Sequence, residues 1–191
     1  MDLVLNGLIA LITLTLTLCF SRKDGAWTLR GLKKALRFFT VQSNLLCALG
    51  ALLMCFWPDS RPVWLLKYVG TAAVTLTMLT VLLFLGPTLG CWRKLFSGAD
   101  LFMHLITPLL ALVSFCVLER RGLGFPALLL GLLPMALYAV LYACKVLLAP
   151  PEKAWEDFYG FNRGGKWYLS VCLMLLGTLL ICLGLAALQS L

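Results

Sequence analysis

The chain has 191 residues, of which 62% are hydrophobic and only 13% charged, and its mean hydropathy is +0.97. Such a composition excludes an ordinary water-soluble domain and points to a polytopic membrane protein. The net charge of +8 does not indicate a nucleic-acid partner, because the basic residues lie between apolar runs and not on a soluble surface.

A helix needs roughly 20 apolar residues to cross a bilayer core. Six runs meet that length, at 3–20, 38–57, 64–85, 100–118, 125–148 and 167–188. They predict an all-α bundle of six transmembrane helices forming one domain over 1–191, with connections too short to fold alone. Asp2 precedes the first run and a basic cluster follows it, the reverse of a cleavable signal peptide. The run is therefore expected to stay as a membrane helix.

Between the first two runs, Leu29, Leu32, Leu36 and Phe39 share one stripe with Arg30, Lys33, Lys34 and Arg37 around the remainder. This suits an amphipathic helix at an anionic cytoplasmic leaflet, running on into the second span. That second span opens with Thr40, Ser43, Asn44 and Cys47 on one face, opposite leucine. Gly86 and Pro87 predict the end of the third span.

In the fourth span Asp100, His104, Thr107, Ala111 and Ser114 follow at spacings of four, three, four and three, one helical stripe. His104 is the sole histidine of the chain. Ionisable groups within a span are costly and default to a functional hypothesis. Pro108 has no N–H, so an α-helix there leaves the His104 carbonyl unpaired, which predicts a kink beside a polar pocket. The last connection stops the fifth span at Pro150 and Pro151 and carries alternating acids and aromatics from Trp155 to Phe161, a composition suited to the headgroup level.

A hydroxyl, an imidazole and an acid are the parts of an activated nucleophile. Counting rise per residue from the cytoplasmic ends puts the polar faces of the second and fourth spans at one depth. Thr40 is the candidate nucleophile, His104 the base, Asp100 its orienter and Asn44 an oxyanion donor, with Ser43 an equally good hydroxyl on physical grounds. The same residues also suit plain interhelical hydrogen bonding in a packed bundle. The eight cysteines sit singly with no CxxC pair, which implies neither a disulfide framework nor a metal site. No metal or cofactor is expected.

Phe39-Thr40, Gln42-Ser43-Asn44 and Asp100-x-x-x-His104-x-x-x-Pro108, with Pro134, Tyr138, Tyr142 and the Trp155–Phe161 loop, resemble a family of six-helix membrane proteins. It includes the androgen-induced membrane hydrolase and the androgen-dependent regulator of tissue factor pathway inhibitor, and the likeness is to its bacterial branch. The resemblance implies a threonine hydrolase acting on fatty acid esters of hydroxy fatty acids, with Thr40 and His104 as the catalytic pair and a bacterial inner membrane as its location. The family often has Asn at the position of Asp100. A lipid or fatty-acyl ester is then the expected partner. An acyltransferase on the same site and a small transporter or scaffold are the rival readings.

Orientation is open to a direct check. Twelve basic residues lie in connections one, three and five with their flanks; only Arg61, Lys67, Arg120 and Arg121 lie on the other side. The positive-inside rule therefore puts both termini outside the cytoplasm, whereas the resemblance implies cytoplasmic termini. Reporter fusions at each end are expected to report extracytoplasmic termini, and a cytoplasmic C-terminus overturns the charge count.

Overall fold

The computed structural model describes residues 2–23 and 26–190, and of these the Lys23 side chain, one of the twelve basic groups counted above, lies outside the description. Six helices are long and apolar enough to span a membrane: α1 (Asp2–Phe20), α3 (Phe39–Phe56), α4 (Arg61–Thr88), α6 (Gly98–Leu118), α7 (Phe125–Leu148) and α8 (Trp167–Ser190). Each covers one of the six apolar runs. Two short helices, α2 (Leu29–Ala35) and α5 (Trp92–Leu95), lie in connections one and three.

Helix α4 is the hub. Its buried face carries Tyr68, Thr71, Ala72, Ala73, Val74 and Thr75, and it packs on α3, α6, α7 and α8. The closest approach is to α3, where glycines permit backbone contact. A Cβ on Gly50 would sit 2.8 Å from the Lys67 Cα, and one on Gly70 would sit 2.5 Å from the Cys47 Cα. These reciprocal small-residue contacts are the membrane mode of close packing. Helix α1 closes the bundle against α3 and α6.

The amphipathic stretch differs from expectation. It opens with a two-residue antiparallel ladder, Arg22 with Trp27 and Lys23 with Ala26. Thr28 then caps α2, accepting from the Gly31 N–H at 3.0 Å. The helix stops at Ala35 and does not run on into α3, because residues 36–38 form a turn whose polar backbone groups find side-chain partners. Gln42 Nε2 donates to the Leu36 carbonyl, the Tyr138 hydroxyl donates to the Arg37 carbonyl, and the Phe39 N–H donates to the Tyr159 hydroxyl.

Prolines also behave differently from the simple rule. The third span does not end at Gly86-Pro87: a π turn at Val81–Leu85 precedes them and the helix continues to Gly90, whose φ of 63° terminates it. The π turn places Pro87 at the start of a new α segment, where a missing N–H costs nothing.

At the end of the bundle away from connections one, three and five, called outer below, lie Lys67, counted above with the basic residues of that side, and Glu119. Both are buried. Lys67 Nζ donates to Glu119 Oε1 at 3.3 Å, to Ser114 Oγ at 3.0 Å and to Asn6 Oδ1. Asn6 Nδ2 and Ser114 Oγ also donate to Glu119 Oε1, at 2.6 and 3.1 Å. The cluster joins α1, α4 and the end of α6. Breaking a buried pair from one side leaves an uncompensated charge, so Glu119→Ala is expected to lower stability by about 3–5 kcal/mol. Thermal unfolding in detergent measures this, and Lys67→Met combined with Glu119→Leu should recover most of the loss.

Candidate active site

The sequence candidates occupy the first thirds of α3 and α6, the ends that adjoin connections one and three. In α6 a π turn spans Phe102–Ile106, directly before Pro108. The Thr107 N–H consequently bonds to the Phe102 carbonyl, five residues back. The Met103 carbonyl thus loses its α-helical partner, and its π-helical partner would be Pro108, which has no N–H. Asn44 fills the place: its Nδ2 donates to the Met103 carbonyl at 3.0 Å and to the Thr40 carbonyl at 2.8 Å. The widened turn therefore leaves the Met103 carbonyl, the neighbour of His104, without a helical partner as well.

One amide nitrogen thus touches the backbone at Thr40 and at the residue before His104. Those two carbonyl oxygens lie no farther apart than the two bonds laid end to end. Because both partners are carbonyls, both Asn44 N–H groups are spent, and Asn44 is not the oxyanion donor that the sequence suggested. Its Oδ1 is buried without a hydrogen bond.

The His104 ring is buried and held by Nδ1, 2.8 Å from the Leu95 carbonyl. A carbonyl only accepts, so Nδ1 carries a proton and Nε2 is left to accept one. Leu95 belongs to α5, so connection three orients the imidazole. Asp100 does not: it is half-exposed and, among the described residues, makes no ion pair or hydrogen bond with His104. The correction has a simple cause, since the carbonyl occupies the nitrogen an acid four residues earlier would hold.

Thr40 lines a small cavity of about 20 Å³ with Thr77, Thr80, Tyr138, Tyr159 and Phe161, room for about one water. No hydrogen bond joins Thr40 to His104 among the described residues. Ser43 is buried and spent, paired with the Thr77 hydroxyl at 2.9 Å and donating to the Thr40 carbonyl at 3.1 Å when not donating to Thr77. Thr40 is the freer hydroxyl.

Tyr159 was missed as an individual residue by sequence reading. Its hydroxyl accepts from the Phe39 N–H at 3.0 Å and is engaged by the Thr40 hydroxyl and N–H and by Tyr138. Burial holds its phenol above the usual range, only partly offset by the Phe39 N–H and the hydroxyl partners. The loop that delivers it is folded around Asp157, whose carboxylate accepts from the Tyr142 hydroxyl and the Phe161 and Asn162 N–H groups, each at 2.9 Å. Alternating acids and aromatics were the visible signal of this loop; the aromatics pack inward against Phe38, Tyr138 and Tyr142.

Beyond Thr80, Phe161 and Met174, which line both spaces, an apolar groove of about 650 Å³ runs between α4 and α8 past Leu76, Leu83 and Leu180. Side chains and fold define a six-helix integral membrane protein with a polar centre at one end. No family model, curated protein or solved structure matches the chain. Among the described residues no group of three or more His, Cys, Asp or Glu side chains forms a metal site.

Tyr159→Phe removes the acceptor of the Phe39 N–H and is expected to cost about 1 kcal/mol at neutral pH. A phenol whose folded pKa is raised stabilises the fold below its unfolded pKa and loses that stabilisation as pH rises above about 10. Wild-type unfolding temperature should therefore fall more steeply than that of Tyr159→Phe in this alkaline range.

Proposed function

We propose that this chain is an intramembrane lipid-ester hydrolase with Thr40 as nucleophile and His104 as base, in keeping with the family resemblance of its motifs. The observation that carries the reading is the single-sided anchoring of His104: with Nδ1 committed to the Leu95 carbonyl, Nε2 has the lone pair that a general base needs. Thr40 gives its proton to Nε2 and attacks the ester carbonyl; the bond to the alcohol oxygen then breaks, and the alcohol leaves with the proton from Nε2, giving acyl-Thr40. The charge that develops on the carbonyl oxygen is met by the Tyr159 hydroxyl, which takes the part first assigned to Asn44. The apolar groove adjoining the Thr40 cavity suits an acyl chain entering from the lipid side. A fatty acid ester of a hydroxy fatty acid fits that description, and a bacterial inner membrane is the setting the resemblance implies.

A fluorophosphonate probe applied to the purified protein is expected to label wild type and not Thr40→Ala, with the adduct mapped to Thr40 by mass spectrometry. His104→Ala should lower turnover by roughly 10²- to 10⁴-fold while remaining folded. Asp100→Asn should leave both rate and pH profile unchanged, since Leu95 holds the ring. Labelling at Ser43, or none at all, defeats the assignment.

A further inference from the structure

Five threonines inside these helices behave alike. The hydroxyls of Thr71, Thr75, Thr77, Thr88 and Thr178 each donate to the carbonyl four residues earlier on their own helix. This is the ordinary way for a helical hydroxyl to be satisfied away from water. Thr13, Thr17 and Thr107 do not follow it. All three are buried, and among the described residues their hydroxyl oxygens, together with Asn44 Oδ1, have no hydrogen-bond partner. For Thr107 the carbonyl four residues back is that of Met103, which accepts from Asn44.

These four groups share a place. Asn6 and Ser114 both reach Glu119 Oε1, so they fix a common depth for α1 and α6, which run in opposite directions. Thr13 lies seven residues inward from Asn6, and Thr107 seven residues inward from Ser114. Seven residues are two turns, about 10 Å, and return to the same face. The two unpaired hydroxyls therefore lie at one level on the facing sides of two helices in contact. Thr17 is a further turn inward on the same face of α1, and Asn44 reaches Met103, one turn inward of Thr107, from α3. Three helices thus aim four unpaired oxygens at a common interior region that ends at the residue preceding His104.

A buried polar group left unpaired is costly, and ordered water with two to four partners is the general remedy. We propose that Thr13, Thr17, Thr107 and Asn44 form an internal water site between α1, α3 and α6, and that this site supplies the water that completes hydrolysis. The second statement rests on the hydrolase reading above. The site feeds the deacylation step. Water donates a proton to His104 Nε2 as its oxygen bonds to the acyl carbon; the carbon–oxygen bond to Thr40 then breaks, the proton passes from Nε2 to the Thr40 oxygen, and a carboxylic acid leaves. The four residues are positioning residues for water, whereas Thr40 and His104 make and break the bonds. Water thereby arrives through the protein interior and the ester through the apolar groove.

Two measurements on the full-length protein in lipid nanodiscs test this. In the first, brief X-ray pulses generate hydroxyl radicals from bound water, and mass spectrometry follows oxidation of two buried methionines. Met103 borders the site and Met54 belongs to the apolar core around Trp64 and Phe115. Met103 is expected to oxidise several-fold faster than Met54, and Thr13→Val with Thr107→Val should abolish the difference. Equal protection of the two sulfurs in wild type overturns the water site whatever the activity.

The second measurement uses a p-nitrophenyl acyl ester, where nitrophenol release reports acylation as a burst and deacylation as the later steady rate. Thr107→Val should leave the burst unchanged and slow the steady phase by roughly ten- to hundredfold, the order expected when a reacting group is misplaced. Acyl-Thr40 should accumulate, and Thr107→Ser should restore turnover. Burst and steady rate falling together, or neither falling, overturns the positioning role. Absence of any nitrophenol release by wild type with rapid Met103 oxidation rejects the hydrolase reading, and with it the deacylation role, while the water site stands.

Discussion

A single carboxylate oxygen, Glu119 Oε1, is the constraint on which the outer half of the bundle depends. It accepts from Lys67, Asn6 and Ser114, so α1, α4 and α6 cannot slide along one another without exposing a charge to hydrocarbon. The Glu119 backbone takes part as well, its carbonyl accepting from Trp64 Nε1 at 2.8 Å. Neighbouring bonds extend the same fixed level to the other helices: Gln189 on α8 donates to the Phe115 carbonyl, and Tyr68 on α4 donates to the Leu128 carbonyl on α7. Such a pair contributes specificity of register more than net stability, since desolvation offsets much of its attraction. With register fixed at one end, regular helix rise sets which residues meet at the other.

Three departures from regular rise have a common cause. Pro87 and Pro108 each follow a π turn, and Pro134 follows the 3₁₀ turn Leu130–Leu132. In each case the helix changes hydrogen-bond register just before the residue that cannot donate. A membrane helix has no water to repair a broken bond, so it repairs itself by local rewinding or by borrowing a neighbour's side chain. The Met103 carbonyl uses both means, and this repair brings Asn44 against α6 and joins the Thr40 and His104 segments.

How far the sequence discloses this depends on the kind of signal. Spans depend on length and hydropathy, quantities summed over some twenty residues, and all six apolar runs correspond to spanning helices. The polar faces of α3 and α6 were legible as well, because helical spacing alone places Thr40 near Asn44 and His104 near Pro108. Partner choice was not. Whether His104 is held by Asp100 or by a carbonyl from α5 depends on how connection three folds back, and no periodicity records that. Lys67 and Glu119 carried a misleading signal: both lie near span ends, where charged residues are ordinarily solvated, and only the bundle's third dimension makes them partners. Tyr159 was hidden similarly, as one aromatic among several in a loop 119 residues or more from the helix end it satisfies.

The two halves of the bundle are therefore built for different purposes. The outer half pairs Lys67 with Glu119 Oε1, though Glu119 Oε2 has no partner among the described residues, and around them Trp64, Tyr68 and Phe115 form an apolar core with stacked rings. The inner half leaves buried oxygens unpaired and spends its aromatic residues on a loop that covers the start of α3. Unpaired polar groups destabilise a fold, and the half that tolerates them must be held by something else. Here the fixed outer register supplies that support, allowing the inner ends of α3 and α6 to keep an accepting nitrogen on His104 and a Thr40 hydroxyl engaged by Tyr159. The hydrolase proposed above needs groups that are not satisfied by one another before substrate arrives, and a bundle clamped at its opposite end can hold them so.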